Sequence, residues 1–468
     1  MFKKLLDFYL VLLSLIDTLI LSGLKDFTDI RLRFDFCLDA HCFEDIYAKN
    51  TPIEKKGKMK NFIKIGFCLL IFSTGLISVA FADDVATTLP ELFTKGKVSG
   101  SLKSYYFTQT FDGAGKNNSH IWTYGGNLKL STGSLYGLRL GSNFQISAVG
   151  YVDDDDNKTA GSLNADGAVL SEAYLQYNIK KTEFKGGRQF ISLPLLAGSG
   201  SRLIKESFEA YLISNQDIPD TTITAGWVKS YQTRTDKSSY ADNWFVEFEK
   251  NGNGSPGDFY DIGDDGAYLI YLKNATIKNL TIQAQYENVV DHVAGFYADA
   301  KYMFDMSLKP FVAAQYFYTN YDTSLSDDNY LYGFRTGITV YGVDLFAGYT
   351  SAGGSPGDAR VFRGIGQATY YQFTSTTKTA GVLAFLADTD AYQVGAAYSY
   401  GGLSSKIRYT SFVSPIANSD LDEYTLNLAY KFDNRLKGFE ISVDYSILDY
   451  DNNAKGATDL RTRLIYSF

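Results

Sequence analysis

The chain has 468 residues, a formal net charge of −8 and a mean hydropathy of −0.14, which together exclude a helical membrane protein. Its 36 Tyr and 33 Phe exceed what a soluble core needs, and 42 Gly stand against 8 Pro. That composition fits many long strands with one face in an apolar medium and the other in water.

In chain order, the first segment is residues 1–58, which precede Met59. From Met59 the chain carries the parts of a secretory signal. Lys60 and Lys64 are basic, Ile65 to Val79 are apolar, and Ala80-Phe81-Ala82 forms an A-x-A cleavage pattern before Asp83-Asp84. The apolar run is short and ends in a cleavage site, so a transmembrane helix is the weaker reading. Residues 59–82 are therefore expected to be a signal peptide and residues 1–58 an over-extended start without function. Asp7 and Asp17 spoil Leu5 to Leu24 as a clean span. Cleavage would leave residues 83–468 as one β-barrel porin domain and remove Cys37, Cys42 and Cys68, so no disulfide is expected. The stretch from Asp83 to Lys95 is too short for a plug.

Beyond residue 96 the pattern is period two. Leu138, Leu140, Phe144 and Ile146 alternate with Arg139, Gly141, Asn143 and Gln145. Leu280, Ile282, Ala284 and Tyr286 alternate with Thr281, Gln283, Gln285 and Glu287. The same alternation returns at Tyr332 to Val340, Tyr392 to Ser399, Tyr424 to Phe432 and Phe439 to Ile447. Segments of this kind, separated by polar turns, mark a transmembrane antiparallel β-barrel of 16–20 strands, most plausibly 18. A soluble sandwich fits less well, because aromatics gather toward strand ends, as in KSYYFTQ and QYFYTNY, and the polar face is wet along nearly every strand. The location implied is the bacterial outer membrane, reached through the periplasm.

The last strand places Leu460, Thr462, Leu464, Tyr466 and Phe468 on one face and Arg461 and Arg463 on the other. If the apolar face meets lipid, both arginines enter the lumen. The same phase turns Lys406, Arg408 and Lys431 inward, and across the closing seam Lys103, Lys129 and Arg139 as well. These eight residues form an expected basic ladder on one wall of an acidic protein, placed to guide anions or carboxylates. The competing reading is that such charges only hydrate the pore and pair with Glu440 and Asp444.

A second cluster is GGRQFISLPLLAGSGSRLIKESFEAY, from Gly186 to Tyr211, with Arg188, Arg202 and Lys205 as candidates for a loop that folds inward and narrows the pore. A third is SAGGSPGDARVFRG, where Arg360 and Arg363 belong either to another inward loop or to an extracellular one. Asp153 to Asp156 read as a solvated loop tip, and the acidic NGNGSPGDFYDIGDDG stretch lacks the ligand spacing of a calcium loop. No metal, cofactor or nucleic-acid partner is expected.

The second cluster resembles the OprD family of outer-membrane porins. It has Gly187-Arg188-Gln189, then Pro194, Ser201-Arg202-Leu203 and Phe208-Glu209-Ala210. LFTKGKVSGSLKSYYF and GGNLKLSTGSLYGLRLGSNF are similar to the family's first strands. The likeness is clear over residues 92–212. It departs where the family often has Pro after the Arg-Leu pair, since Lys205 stands in that region. The resemblance implies an 18-stranded channel with a basic ladder and inward loops that passes small carboxylate solutes. A terminal Phe468 resembles the signal read by the barrel-assembly machinery.

The expected function is passive diffusion of small hydrophilic, anionic or zwitterionic solutes. Other expected partners are outer-membrane lipid and lipopolysaccharide, and the assembly is a monomer or homotrimer. An enzyme is not expected, since His120 and His292 have no nucleophile at a working spacing. The remaining alternatives are a general cation-preferring porin and a non-conducting structural or adhesive barrel.

Overall fold

The computed structural model describes residues 84–112, 118–153, 166–234, 258–322, 328–366, 371, 383–415, 420–450 and 456–468. The segments read as an over-extended start and a signal peptide, Asp154 to Asp156, and the first part of the NGNGSPGDFYDIGDDG stretch lie outside them.

The described chain opens with a short helix, α1 (Leu89–Thr94). Thr88 caps it by accepting the Glu91 N–H, and Pro90 sits in the first turn, where its missing donor costs nothing. Strands follow in meander order. They are β1 (Lys97–Phe111), β2 (Ser119–Ser131), β3 (Leu138–Val152), β4 (Gly167–Ile179), β5 (Thr182–Gln189) and β6 (Ser207–Asn215). The next six are β7 (Thr221–Gln232), β8 (Ala267–Asn274), β9 (Leu280–Val289), β10 (Val293–Met303), β11 (Phe311–Tyr321) and β12 (Asn329–Val340). The last six are β13 (Val343–Ala352), β14 (Asp390–Tyr400), β15 (Leu403–Val413), β16 (Leu421–Lys431), β17 (Phe439–Tyr450) and β18 (Ala457–Ser467).

Each strand pairs antiparallel with its neighbour in sequence, and β1 pairs with β18, from Ser101 opposite Ser467 to Phe111 opposite Ala457. The sheet is therefore a closed barrel of 18 strands, and closure leaves no open edge for every backbone donor and acceptor that must cross lipid. At about 3.3 Å of rise per residue, tilted strands of ten residues or so cross the hydrocarbon layer.

The alternation of the sequence is the alternation of the wall. On β3, Leu140, Phe144 and Ile146 are exposed on the outside, while Asn143 and Gln145 are buried within. Three bulges reset the phase locally. Ser171 is the extra residue of β4, so Ser171 and Glu172 both turn inward. Lys229 is skipped in the pairing of β7 with β6, and Gly150 in the pairing of β3 with β2.

Turns are short at the end carrying the two termini and long at the other end, which makes the long-loop end extracellular. Two of the long connections fold into the lumen. The first follows β5 and the second follows β13. They meet in a two-residue parallel bridge, Leu196 opposite Ile365 and Ala197 opposite Gly366. Apolar residues of both loops pack against inward side chains of the wall. Leu195, Val361 and Phe385 join Tyr297, Phe317, Leu331 and Phe412 in one buried cluster. Leu196, Phe362 and Ile365 join Phe208, Val228 and Val289 in another. A third, smaller cluster at the seam joins Leu203 of the first loop to Tyr105, Phe107 and Ile121 of the wall.

Candidate functional site

The seam places the two arginines of β18 opposite two aromatics of β1. Arg461 faces Phe107 and Arg463 faces Tyr105 in the strand register. Arg461 is buried, and its Nε donates to Asp459 Oδ1 at 2.7 Å while a terminal nitrogen reaches Oδ2 at 3.2 Å. A buried guanidinium needs such a fork, because desolvation without a partner costs several kcal/mol. Gln109 Nε2 donates to the same carboxylate at 3.1 Å.

Arg463 is held by a chain of contacts that crosses four strands. Its Nη1 donates to Asp444 Oδ2 at 2.6 Å, Asn427 Nδ2 donates to Asp444 Oδ1 at 2.6 Å, and Arg408 Nη2 donates to Asn427 Oδ1 at 2.8 Å. A matching chain runs on the other side of the seam. Ser101 Oγ donates to Asn127 Oδ1 at 2.6 Å, Asn127 Nδ2 to Asn143 Oδ1 at 3.1 Å, and Asn143 Nδ2 to Glu172 Oε2 at 3.2 Å. Lys129 Nζ lies 3.3 Å from that Glu172 oxygen. These cross-strand polar rows fix the rotamers of the charged groups they carry.

The first inward loop then meets this wall. Lys103 Nζ donates to the Leu203 carbonyl at 3.1 Å. The Arg202 guanidinium carbon lies 5.5 Å from the centre of the Phe107 ring, Arg461 at 5.6 Å and Arg463 at 5.1 Å. One aromatic ring thus carries three guanidinium groups, a cation–π arrangement that spares each of them some of its desolvation cost. Ser201 Oγ accepts from Arg202 at 3.3 Å and from Arg234 at 3.1 Å. Arg234 Nε also sits 3.4 Å from Glu206 Oε1, and Glu206 Oε2 accepts the Ser199 N–H at 2.7 Å.

The loop is fixed to the wall at both ends. Gln145 Oε1 accepts the Lys205 N–H at 2.9 Å, and its Nε2 donates to the Lys205 carbonyl at 2.8 Å. Across the lumen, the Leu195 N–H donates to Gln285 Oε1 at 2.9 Å. The second inward loop is tied in the same way. Phe362 N–H donates to Thr319 Oγ1 at 2.8 Å, Asn329 Nδ2 to the Ala359 carbonyl at 2.7 Å, and the Tyr321 hydroxyl to the Arg360 carbonyl. Burial disfavours the charge on two loop cations. It lowers the Lys205 pKa against the opposing pull of Glu172, and that of Arg360, where Arg363 adds its own repulsion.

The structure brings only some of the residues expected from sequence together. Arg461, Arg463, Lys103 and Arg202 meet around Tyr105 and Phe107, and Lys129, Lys205 and Arg408 lie on the flanking rows. Lys406 lies over the Phe346 ring at 5.3 Å, on the same strand as Arg408. Lys431 and Arg139 share the inward phase but lie toward the terminus-bearing rim. Lys431 is 75% exposed and 3.7 Å from Glu440, and Arg139 reaches Asp84 at 2.7 Å. Arg188 is not brought to this group. It lies in β5 opposite Ala173 and Glu209, with its guanidinium 4.2 Å from the Phe259 ring. Arg360 and Arg363 belong to the second inward loop. Phe468 pairs with Gly100 through both its backbone N–H and its carbonyl, and its ring covers the space a Cβ at Gly100 would need.

Sequence reasoning named Asp444 as a partner for lumenal cations, and it pairs with Arg463, but it gave no role to Gln145, Gln285, Asn427 or Arg234. The opposite wall holds another unforeseen group. Asp299 accepts from the Tyr371 hydroxyl at 3.4 Å, and Tyr271 donates to Gln283 Oε1 at 2.9 Å on the neighbouring strand. Among the described residues no cluster of His, Cys, Asp and Glu is arranged to hold a metal ion.

Comparison with known proteins bears on this geometry. The sequence profile described as outer membrane porin, OprD family, matches residues 93–465. Among solved structures, OccK9 (OpdG) of Pseudomonas aeruginosa superposes with a TM-score of 0.67 at 19% identity, covering 81% of this chain and 99% of that one. OccAB4 of Acinetobacter baumannii gives 0.66 at 17% identity with the same 81% and 99% coverage. OccK3 (OpdO) of P. aeruginosa gives 0.63 at 18%, covering 81% and 97%. These likenesses establish a shared fold. Comparison with curated protein sequences finds no match.

Proposed function

The chain belongs to the OprD family of outer membrane porins, and from that premise we propose that it passes small carboxylate-bearing solutes along the seam wall. Its place is the bacterial outer membrane, and its family is one of passive channels rather than enzymes. The observation that carries the reading is the convergence of Arg202, Arg461 and Arg463 on Phe107, where the inward loop meets the wall.

A diffusing carboxylate loses water as the lumen narrows. Guanidinium and ammonium groups fixed in a low-dielectric wall replace part of that hydration and focus the field along the path. Each guanidinium has five donors. Arg461, buried and forked onto Asp459, acts through its charge, while Arg463, more exposed and bonded to Asp444 through one nitrogen, is the one with donors to offer a solute. The wall carboxylates keep the site from binding an anion too tightly to release. Zwitterions are accommodated if the ammonium end turns toward Asp299 on the other wall, where Gln283 and Tyr371 supply further polar atoms.

Reversal potentials in a planar bilayer under a KCl gradient test this. The parent channel is expected to favour anions relative to the variant carrying Arg461→Ser and Arg463→Ser. A conducting variant with unchanged selectivity would leave a general porin whose cations only hydrate the lumen. A parent that inserts and never conducts would leave a structural barrel.

A further inference from the structure

The arginines of the seam are neutralised by neighbours, Arg461 by Asp459 and Arg463 by Asp444. Another pair of inward cations is not. Arg335 of β12 and Lys406 of β15 both lie over the ring of Phe346 in β13, with the guanidinium carbon at 4.5 Å and Nζ at 5.3 Å from its centre. Among the described residues neither has an ion pair or a hydrogen bond, and Arg335 Nε is buried without a partner. Asp344 shares a row with Lys406 across β14, but it is exposed at the rim and accepts from the Thr339 hydroxyl at 2.6 Å. Arg408, bonded to the neutral Asn427, adds a third positive charge that repels both.

The wall is shaped to keep this arrangement. Phe346 is inward and buried, while Leu345 beside it is exposed toward lipid. The Phe346 ring lies against β14 at Gly395, where a Cβ would come within 2.4 Å of its Cζ. A larger residue there would push the ring, and with it both cations, off the wall. A partly desolvated cation without a counter-charge is unfavourable, and one ring offsets part of that for two of them. Arg335 lies midway down β12 from Asn329, which ties the second inward loop. The two cations therefore stand on the periplasmic side of the loop crossing.

A site that breaks the pairing rule kept at the seam is where a partner from outside belongs. The charge to be matched there is twofold. We propose that Phe346 marks a second anion station in the lumen, and that its ligand is a short dicarboxylate with one carboxylate on Arg335 and the other on Lys406. A monocarboxylate answers one cation and leaves the other facing Arg408. A dicarboxylate meets both and relieves their mutual repulsion, an effect that grows where the wall excludes water. At the seam, Asp444 and Asp459 repel a second carboxylate, so the two stations favour different solutes. The inference rests on the reading of the lumen as a carboxylate path and narrows it.

Chloride currents through the refolded full chain in a planar bilayer test this. Succinate and butanoate, acids of equal chain length that differ by one carboxylate, are added in turn. Succinate should lower the current at about a tenfold lower concentration than butanoate. In a variant carrying Arg335→Gln and Lys406→Gln the two acids should act alike, whereas the variant carrying Arg461→Ser and Arg463→Ser should keep the advantage of succinate. Equal action on the parent overturns the inference and leaves the carboxylate path standing. A parent that responds to neither acid removes both. An advantage that survives Arg335→Gln with Lys406→Gln overturns the inference too, and so does sulfate acting as strongly as succinate, since charge alone would then suffice. Lys406→Gln alone is a milder change that should narrow the gap between the acids, and an unchanged gap overturns the proposal without the double variant. Arg335→Lys, which keeps the charge, should keep most of the gap.

Discussion

Gln145 holds Lys205 by both of its backbone polar atoms, accepting from the amide at 2.9 Å and donating to the carbonyl at 2.8 Å. The contact imitates one rung of a β-ladder, made by a side chain of the wall on an inward loop. Gln145→Ala leaves both backbone groups with weakened satisfaction in a buried setting, and a lost buried hydrogen bond costs about 1–3 kcal/mol. Urea unfolding of the detergent-solubilised barrel should show a loss in that range. Single-channel recordings should show added current noise from a loosened loop. A quiet channel of parental stability would mean that the clamp does not position the loop.

Asp444 is the hinge of the row that ends in Arg463, since it accepts from both Arg463 and Asn427. Asp444→Asn removes one lumenal negative charge and keeps the shape. Anion selectivity should rise, because Arg463 loses its neutralising partner and the wall becomes more positive. Stability should fall by roughly 1–3 kcal/mol as the charge-assisted bond is lost. Reversal potentials and urea midpoints read the two effects separately, and a shift toward cations would contradict the arrangement.

Leu196 and Ile365 are both buried and face each other across the parallel bridge of the two inward loops. Adjacent strands lie about 4.8 Å apart, which is within disulfide reach. A Leu196→Cys and Ile365→Cys pair should oxidise spontaneously. If the bridged loops are the conducting arrangement, oxidation and subsequent reduction should leave conductance unchanged. A channel that opens only on reduction would show that the loops part during permeation.

Lys205 gives a signature in pH. Burial lowers its pKa in the folded protein relative to free lysine. The folded chain therefore releases this proton at lower pH than the unfolded chain does. Its contribution to stability grows as pH climbs from the folded pKa toward the unfolded one. Anion selectivity should weaken over the same alkaline window, because the loop loses a charge. In Lys205→Gln that part of the titration should be absent, so the difference between the two selectivity curves isolates it. Superposable curves would remove Lys205 from the path.

Period two made the wall legible from sequence. Leu140, Phe144 and Ile146 announced the lipid face of β3, and the phase of β18 turned Arg461 and Arg463 inward before any geometry was known. What local pattern does not encode is which distant residue meets which. Arg188 follows Phe184 and Gly186 in strict alternation, so the period itself puts it on the outer face. Reading it as part of the adjoining loop hid that. Lys431 and Arg139 share the inward phase, but height along the barrel, which no alternation reports, puts them at the rim beside Glu440 and Asp84. Gln145 and Gln285 looked like ordinary polar wall residues because the backbones they clamp are far away in the chain. The bulge at Ser171 turns Glu172 inward one residue early, which strict alternation would have assigned to lipid.

The seam has a consequence for how the molecule comes into being. Arg461 and Arg463 arrive on the last strand, while Tyr105 and Phe107 belong to the first. Until β18 zips onto β1, both strands are raw edges open to any passing chain, and the arginines of β18 have no ring to rest on. The stacking of Arg461 and Arg463 on Phe107 is thus absent until the closing step, whereas the row from Arg463 through Asp444 and Asn427 to Arg408 lies wholly on β15 to β18 and does not need the seam. Closure therefore does two things at once: it pairs the last two open edges, and it sets the arginines of β18 against the rings of β1.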